Sequence, residues 1–206
     1  MSVSCHRRIR QKIETMPQGS VFVISDFDTI ACPKTVSKTL KRLSEDGLIC
    51  RVIRGVFWKP QNSADAPSPD QIAHALARGN IWRVAPCGET ALHLFGLKST
   101  TPRIWTYITD GTQRDYDIAG IRLIFRHSSG KFLGSMSEKA ATVVQVLKAY
   151  GKPQLSEETL VRIRQHLKPE ELRHLLSETK NAPAWICAAI RTMLHKTDPA
   201  EHSVSP

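Results

Sequence analysis

The sequence predicts an α+β chain, and three observations lead there. First, residues 33–60 read PKTVSKTLKRLSEDGLICRVIRGVFWKP. A short helical pattern opens on a proline, carries lysines and small hydroxyls on one side, and stops at Asp46-Gly47. Two β-prone runs, 48–53 and 56–59, follow at once across Arg54-Gly55. That order is what a winged helix-turn-helix needs for its recognition helix and wing. Second, residues 61–69 (QNSADAPSP) are polar and rich in Pro and Ser, the composition of a linker. Third, residues 103–127 are β-prone and alternating, and give way to helical patterns over 137–195. The expected organisation is a winged helix-turn-helix over 1–60, a linker over 61–69 and a mixed domain over 70–196. That second domain holds a small antiparallel sheet near 103–127 and a helical C-terminal part; residues 197–206 form a flexible tail.

Each element has a local reason. Ile9, Ile13 and Met16 recur at helical spacing, with Arg7, Arg8, Arg10 and Lys12 between them, giving a first helix from Val3 to Thr15 that PQG at 17–19 breaks. SVFVI at 20–24 is a short strand. Ser25 then caps a brief second helix over 26–31, whose first-turn acids suit the helix dipole. Cys32 makes the turn that follows. Pro33 fits the first position of a third helix over 33–45, in which Val36, Leu40 and Leu43 fall at i, i+4, i+7 and face the core. Gly47 stops it. Further on, helices are expected over 70–78 and 86–97, with a short strand at 82–84 between them. Strands follow at 103–109, 114–118 and 121–127, then helices over 137–150, 156–167, 170–179 and 184–195.

A chain of 206 residues with 41% hydrophobic residues can build packed cores. No apolar run approaches the ~18 residues that span a bilayer, and the N-terminus has charge but no apolar signal core, so a cytoplasmic protein is expected. The net charge is +10. Residues 1–60 carry eleven Lys/Arg against five Asp/Glu, so most of the excess lies where the helix–hairpin pattern lies. A basic field favours polyanions, nucleic acid above all. The five cysteines, Cys5, Cys32, Cys50, Cys87 and Cys187, are widely spaced with no CxxC pair, which reads as free thiols rather than a disulfide framework or zinc site.

A major groove about 12 Å wide accepts one α-helix, and base edges are read near its N-terminal half. Here that half offers Lys34, Thr35, Ser37 and Lys38. Lysine donates to guanine O6 and N7; the hydroxyls meet a base edge or a phosphate. Lys41 and Arg42, and Arg51, Arg54 and Lys59 in the wing, suit phosphates, and Arg54 beside a glycine can enter a minor groove. The plainer reading makes these residues a solvated face. Catalytic groups are scarce. The eight histidines are scattered without an HExxH pair, no GxxxxGK[ST] loop occurs, and no catalytic residue or cofactor is assigned. Asp110, Asp115 and Asp117 cluster near a hairpin, where turn and surface roles outweigh metal binding.

Four segments together carry a resemblance: VSKTLKRLSEDGLICRVIRGVFWKP (36–60), PCGETALHLFGLKSTTP (86–102), YITDGTQRDYDIAGIRLIFRH (107–127) and VLKAYGK (146–152). In this order they resemble the AbiEi-type antitoxins of type IV toxin–antitoxin systems, over about residues 5–195. The resemblance implies a bacterial winged-helix regulator that binds operator repeats in double-stranded DNA upstream of its own operon. It also implies a C-terminal domain that counteracts a nucleotidyltransferase-like toxin, with no stable complex required. It carries DNA binding onto Lys34, Thr35, Ser37, Lys38, Lys41, Arg42, Arg51, Arg54 and Lys59. For the C-terminal half, Arg103, Arg114, Arg122, Arg126 and Lys131 are candidates, beside the plainer reading of a solvated sheet face. No membrane partner is implied. The alternatives are a stand-alone winged-helix regulator or a protein-interaction module without a toxin, and an enzyme on nucleic acid that uses the three aspartates.

Overall fold

Two helices with narrow apolar stripes begin the chain. The computed structural model describes residues 4–62, 65–129 and 133–195; Val3, Lys131 and the expected tail at 197–206 lie outside them. Helix α1 (Cys5–Thr15) buries Ile9 and Ile13, four apart, and Ser4 caps it by accepting the Arg7 N–H. Helix α2 (Pro33–Glu45) has proline in its first turn and buries Val36, Thr39, Leu40 and Leu43. It ends on a left-handed glycine, Gly47, at φ +75. The Leu48 N–H donates to the Leu43 carbonyl at 3.0 Å and the Gly47 N–H to that of Ser44 at 3.2 Å, a pair of hydrogen bonds that sets the exit direction of the chain.

Strands β1 (Val21–Val23), β2 (Cys50–Ile53) and β3 (Val56–Trp58) form an antiparallel sheet in the order β1-β3-β2. Phe22 lies opposite Phe57, and a register shift falls between Arg51 and Ile53. Phe22, Phe57 and Ile49 join Ile9, Ile13, Phe27, Val36, Leu40 and Leu43 in one core. The Phe22 ring stacks on Phe57 at 6.2 Å and meets Phe27 edge-on at 5.7 Å.

The expected second helix over 26–31 is shorter and tighter: a 3₁₀ turn spans Ile24–Phe27. The Asp26 carboxylate accounts for this. It turns back to accept the Val23 N–H at 2.8 Å and also takes the Arg78 guanidinium as a fork, at 2.8 and 3.0 Å. A first-turn acid held in this way closes one tight turn rather than opening an α-helix.

Helix α3 (Pro69–Asn80) starts with a reciprocal cap: Ser68 accepts the Gln71 N–H, and the Gln71 side chain accepts the Ser68 N–H. It packs on the N-terminal sheet. Arg78 reaches the Val21 carbonyl at 3.1 Å, and a Cβ added to Gly79 would sit 3.4 Å from the Val23 side chain. The chain therefore divides after Trp82. One unit is Met1–Trp82 with Tyr116–Leu123; the other is Arg83–Asp115 with Ile124–Pro206. The expected boundary at 61–69 falls between β3 and the first turn of α3, both in the first unit. Its composition marks a turn in the chain but carries no information about which sheet the next helix covers.

The second unit contains β4 (Val84–Pro86), α4 (Gly88–Leu94) and β5 (Ile104–Thr109), with parts of β6 (Arg114–Ile118) and β7 (Ile121–His127). The strand order is β4-β5-β7-β6. Strand β4 begins two residues later than expected and ends on Pro86, which an edge strand tolerates. Helix α4 is correspondingly shorter than the expected 86–97, and Gly96, at φ +61, lies just past its end. The α-helices α5 (Glu138–Tyr150), α6 (Glu157–Gln165), α7 (Pro169–Glu178) and α8 (Ala184–His195) follow. In α5 every residue from Ala140 to Leu147 is buried. Its cap, Ser137, accepts the Ala140 N–H and donates to Glu178 at 2.5 Å. Among the described residues no helix is long and apolar enough to cross a membrane. Leu40→Ala, which empties the centre of the N-terminal core, should lower unfolding free energy by about 2–5 kcal/mol in urea titrations followed by circular dichroism.

Candidate nucleic-acid interface

Burial of Val36, Thr39, Leu40 and Leu43 turns the rest of α2 outward. Lys34, Thr35, Ser37, Lys38, Lys41 and Arg42 are all exposed. The first turn of α2 carries no acid, and Glu45 in the last turn is the only acidic residue of the helix. Lys41 lies 3.8 Å from Glu45, but both side chains are well solvated, so the pair leaves the ammonium accessible.

The start of α2 also holds a thiol whose sequence pattern suggests only a turn residue. Cys32 immediately precedes Pro33, and its Sγ lies 3.3 Å from the Thr35 hydroxyl. The Thr35 side chain first, and its backbone N–H next, hold this thiol below its ordinary pKa. A local signal for this does exist: a residue directly before a helix-opening proline, with a threonine three positions on, sits where a side chain meets the first free N–H groups.

The hairpin after α2 contributes two of its three expected cations. Arg51 and Arg54 are exposed; the Arg51 Nε donates to the Ile53 carbonyl at 3.3 Å, which holds the guanidinium stem along the strand. Lys59 is a correction. Its ammonium donates to the carbonyls of Ile13, Glu14 and Met16 at 3.0, 2.9 and 2.8 Å. All three protons are engaged, and the group caps the C-terminus of α1. Lys12 is inward too: it donates to the Asp26 carbonyl and sits 5.1 Å over the Phe27 ring. Arg10 pairs with Glu14 at 2.9 Å on the helix surface.

In the second unit, Asp110 accepts the Arg83 N–H at 2.8 Å and so ties the end of β5 to the start of β4, while Asp115 and Asp117 are exposed on β6. Among the described residues no three His, Cys, Asp or Glu side chains converge as a metal-binding group. Arg103, Arg114, Arg122 and Arg126 are exposed.

Two measurements follow from these side chains. Lys59→Met should lower stability by about 2 kcal/mol, because it orphans three carbonyls at a helix end; the shift of the urea midpoint reads it. Cys32 should alkylate with iodoacetamide faster than the exposed Cys50 near neutral pH, since its thiolate forms at lower pH. Thr35→Val, which keeps the backbone donor, should reduce that advantage, as read by peptide mass spectrometry at several pH values.

The chain matches the model of a family of unknown function, DUF6088, over residues 8–175. No curated protein matches it. Among solved structures it is similar to the crystal structure of the RV2827C protein from Mycobacterium tuberculosis, at 12% identity and a TM-score of 0.44, covering 94% of this chain and 78% of that one. The family match takes in both the helix–hairpin segment and most of the second unit, and the chain belongs to the family of unknown function DUF6088.

Proposed function

We propose that the N-terminal unit contains a winged helix-turn-helix that binds double-stranded DNA, with α2 as the recognition helix and the β2–β3 hairpin as the wing. One observation carries this reading. The outward face of α2 is cationic and hydroxyl-bearing, acid-free through its first turn, and leads directly into a hairpin bearing Arg51 and Arg54. Lys34, Thr35, Ser37 and Lys38 face base edges; Lys41, Arg42, Arg51 and Arg54 face phosphates. Lys59 supports the fold and is not in this set.

The biological role follows from the sequence resemblance to AbiEi-type antitoxins. The protein represses its own operon in the bacterial cytoplasm by occupying operator repeats, and its second unit counteracts a nucleotidyltransferase-like toxin. It acts by binding rather than by turnover.

The test is a titration of duplex DNA from its own upstream region, read by fluorescence anisotropy over a range of salt. Affinity should fall steeply with salt, since bound cations release counterions. The Lys38→Ala, Lys41→Ala double variant should weaken binding and reduce the salt slope by roughly 1 for each phosphate it ceases to neutralise. Unchanged affinity and slope in that variant would remove the assigned face. Equal binding to operator and random duplex would leave a module without sequence readout. Co-expression with a neighbouring nucleotidyltransferase-like gene tests the antitoxin role separately: growth is restored by the full chain and fails without it.

A further inference from the structure

The second unit contains a pocket that the DNA-binding reading leaves unused. It measures about 380 Å³, and Cys87, Thr106, Arg126, Gln145, Lys148 and Ala149 line it. These residues come from four places: the residue before α4, strand β5, strand β7 and the last turns of α5. No carboxylate is among the lining residues.

The donor set is specific. Arg126 presents a planar fork and Lys148 a point charge, a pairing that suits an oxyanion with more than one charged oxygen. Gln145 is only 8% exposed yet lines the pocket, adding an amide; Thr106 adds a hydroxyl. Partial burial pulls the Lys148 ammonium below its ordinary pKa. Burial pushes the Cys87 thiol up, against the opposing pull of Arg126, so it stays neutral near pH 7 and does not repel an anion.

Size and lining narrow the ligand further. The volume lies at the low end of small-molecule sites, about 300–1,000 Å³, and exceeds what a bare tetrahedral anion fills. No aromatic ring lines the pocket, so a nucleobase would find no stacking surface. We propose that this pocket binds a small, non-aromatic phosphate monoester, a phosphorylated sugar or polyol, with Arg126 and Lys148 on the phosphate and Gln145 and Thr106 on the hydroxyls. The site is independent of the α2 face, so it stands or falls separately from DNA binding.

The test is a titration of the full, ¹⁵N-labelled chain with glucose 6-phosphate, glycerol 3-phosphate, inorganic phosphate and AMP, followed by amide shifts. One of the two non-aromatic esters should give saturable shifts at the amides of Cys87, Thr106, Arg126, Gln145 and Lys148, and inorganic phosphate should bind about tenfold more weakly. AMP should bind no more tightly than inorganic phosphate. Arg126→Met and Lys148→Met keep the aliphatic stems, and each should weaken binding about tenfold, with the rest of the spectrum unmoved. The proposal is overturned by an absence of pocket shifts at millimolar ester, by equal affinity for ester and inorganic phosphate, by tighter binding of AMP, or by an unchanged titration in either variant.

Discussion

Val36, Leu40 and Leu43 leave α2 one stable rotation about its own axis. Each is at most 1% exposed, seated against Ile9, Phe22 and Phe57. Burying such a side chain contributes about 1.5–3 kcal/mol. Rolling the helix by one residue, about 100°, would drive Lys41 or Arg42 toward the core and lift Leu43 into water. An unpaired buried ammonium costs several kcal/mol. The outward face of α2 is thus a consequence of its inward face, and the positions of Lys34, Lys38, Lys41 and Arg42 are set by packing rather than by any partner.

The ends of α2 are held as firmly as its middle. At the start, the extended Cys32 leads into Pro33. At the end, Gly47 adopts a backbone conformation that a residue with a Cβ resists, and the two hydrogen bonds there aim the chain into β2. Lys59 then returns from the end of the hairpin to close the carbonyl end of α1. The end of α1 and the end of the hairpin are thereby tied by a single ammonium. Arg78 does the same for α3 by engaging Asp26 and Val21 together. Both charges are engaged within the fold, and Lys59, expected on DNA, instead holds the end of α1.

Much of this was legible in the sequence, and the parts that were not share a cause. The span of α2 followed from a proline, a 3.6-residue apolar period and a glycine, all local signals. The hairpin after it followed from β-prone runs around Arg54-Gly55. The roles of Lys59 and Asp26 did not, since each depends on a partner more than forty residues away in the chain, Ile13 for one and Arg78 for the other. The unit boundary was misplaced for the same reason: a Pro/Ser-rich loop is visible locally, while the docking of α3 on β1 is not. The basic pocket of the second unit was equally hidden. Arg126 stood out in the sequence only as one of several strand arginines, and Lys148 only as part of the VLKAYGK segment.

Net charge also changes meaning once the fold is known. The first sixty residues hold the larger part of the +10 excess, yet Lys12 and Lys59 point into the protein and Arg10 faces a carboxylate. Counterion release depends on cations that a polyanion can reach, not on the formal sum. The reachable ones are Arg7 and Arg8 on α1 together with the cations of α2 and the hairpin, so the excess is smaller than the composition suggests. In the second unit, α5 is buried along eight consecutive residues, and a polar group can meet solvent only where that burial ends. Lys148 stands at that limit, one residue past Leu147. In both units the chemistry available to a ligand is what packing leaves uncovered, and the apolar pattern decides where that is before any charged residue does.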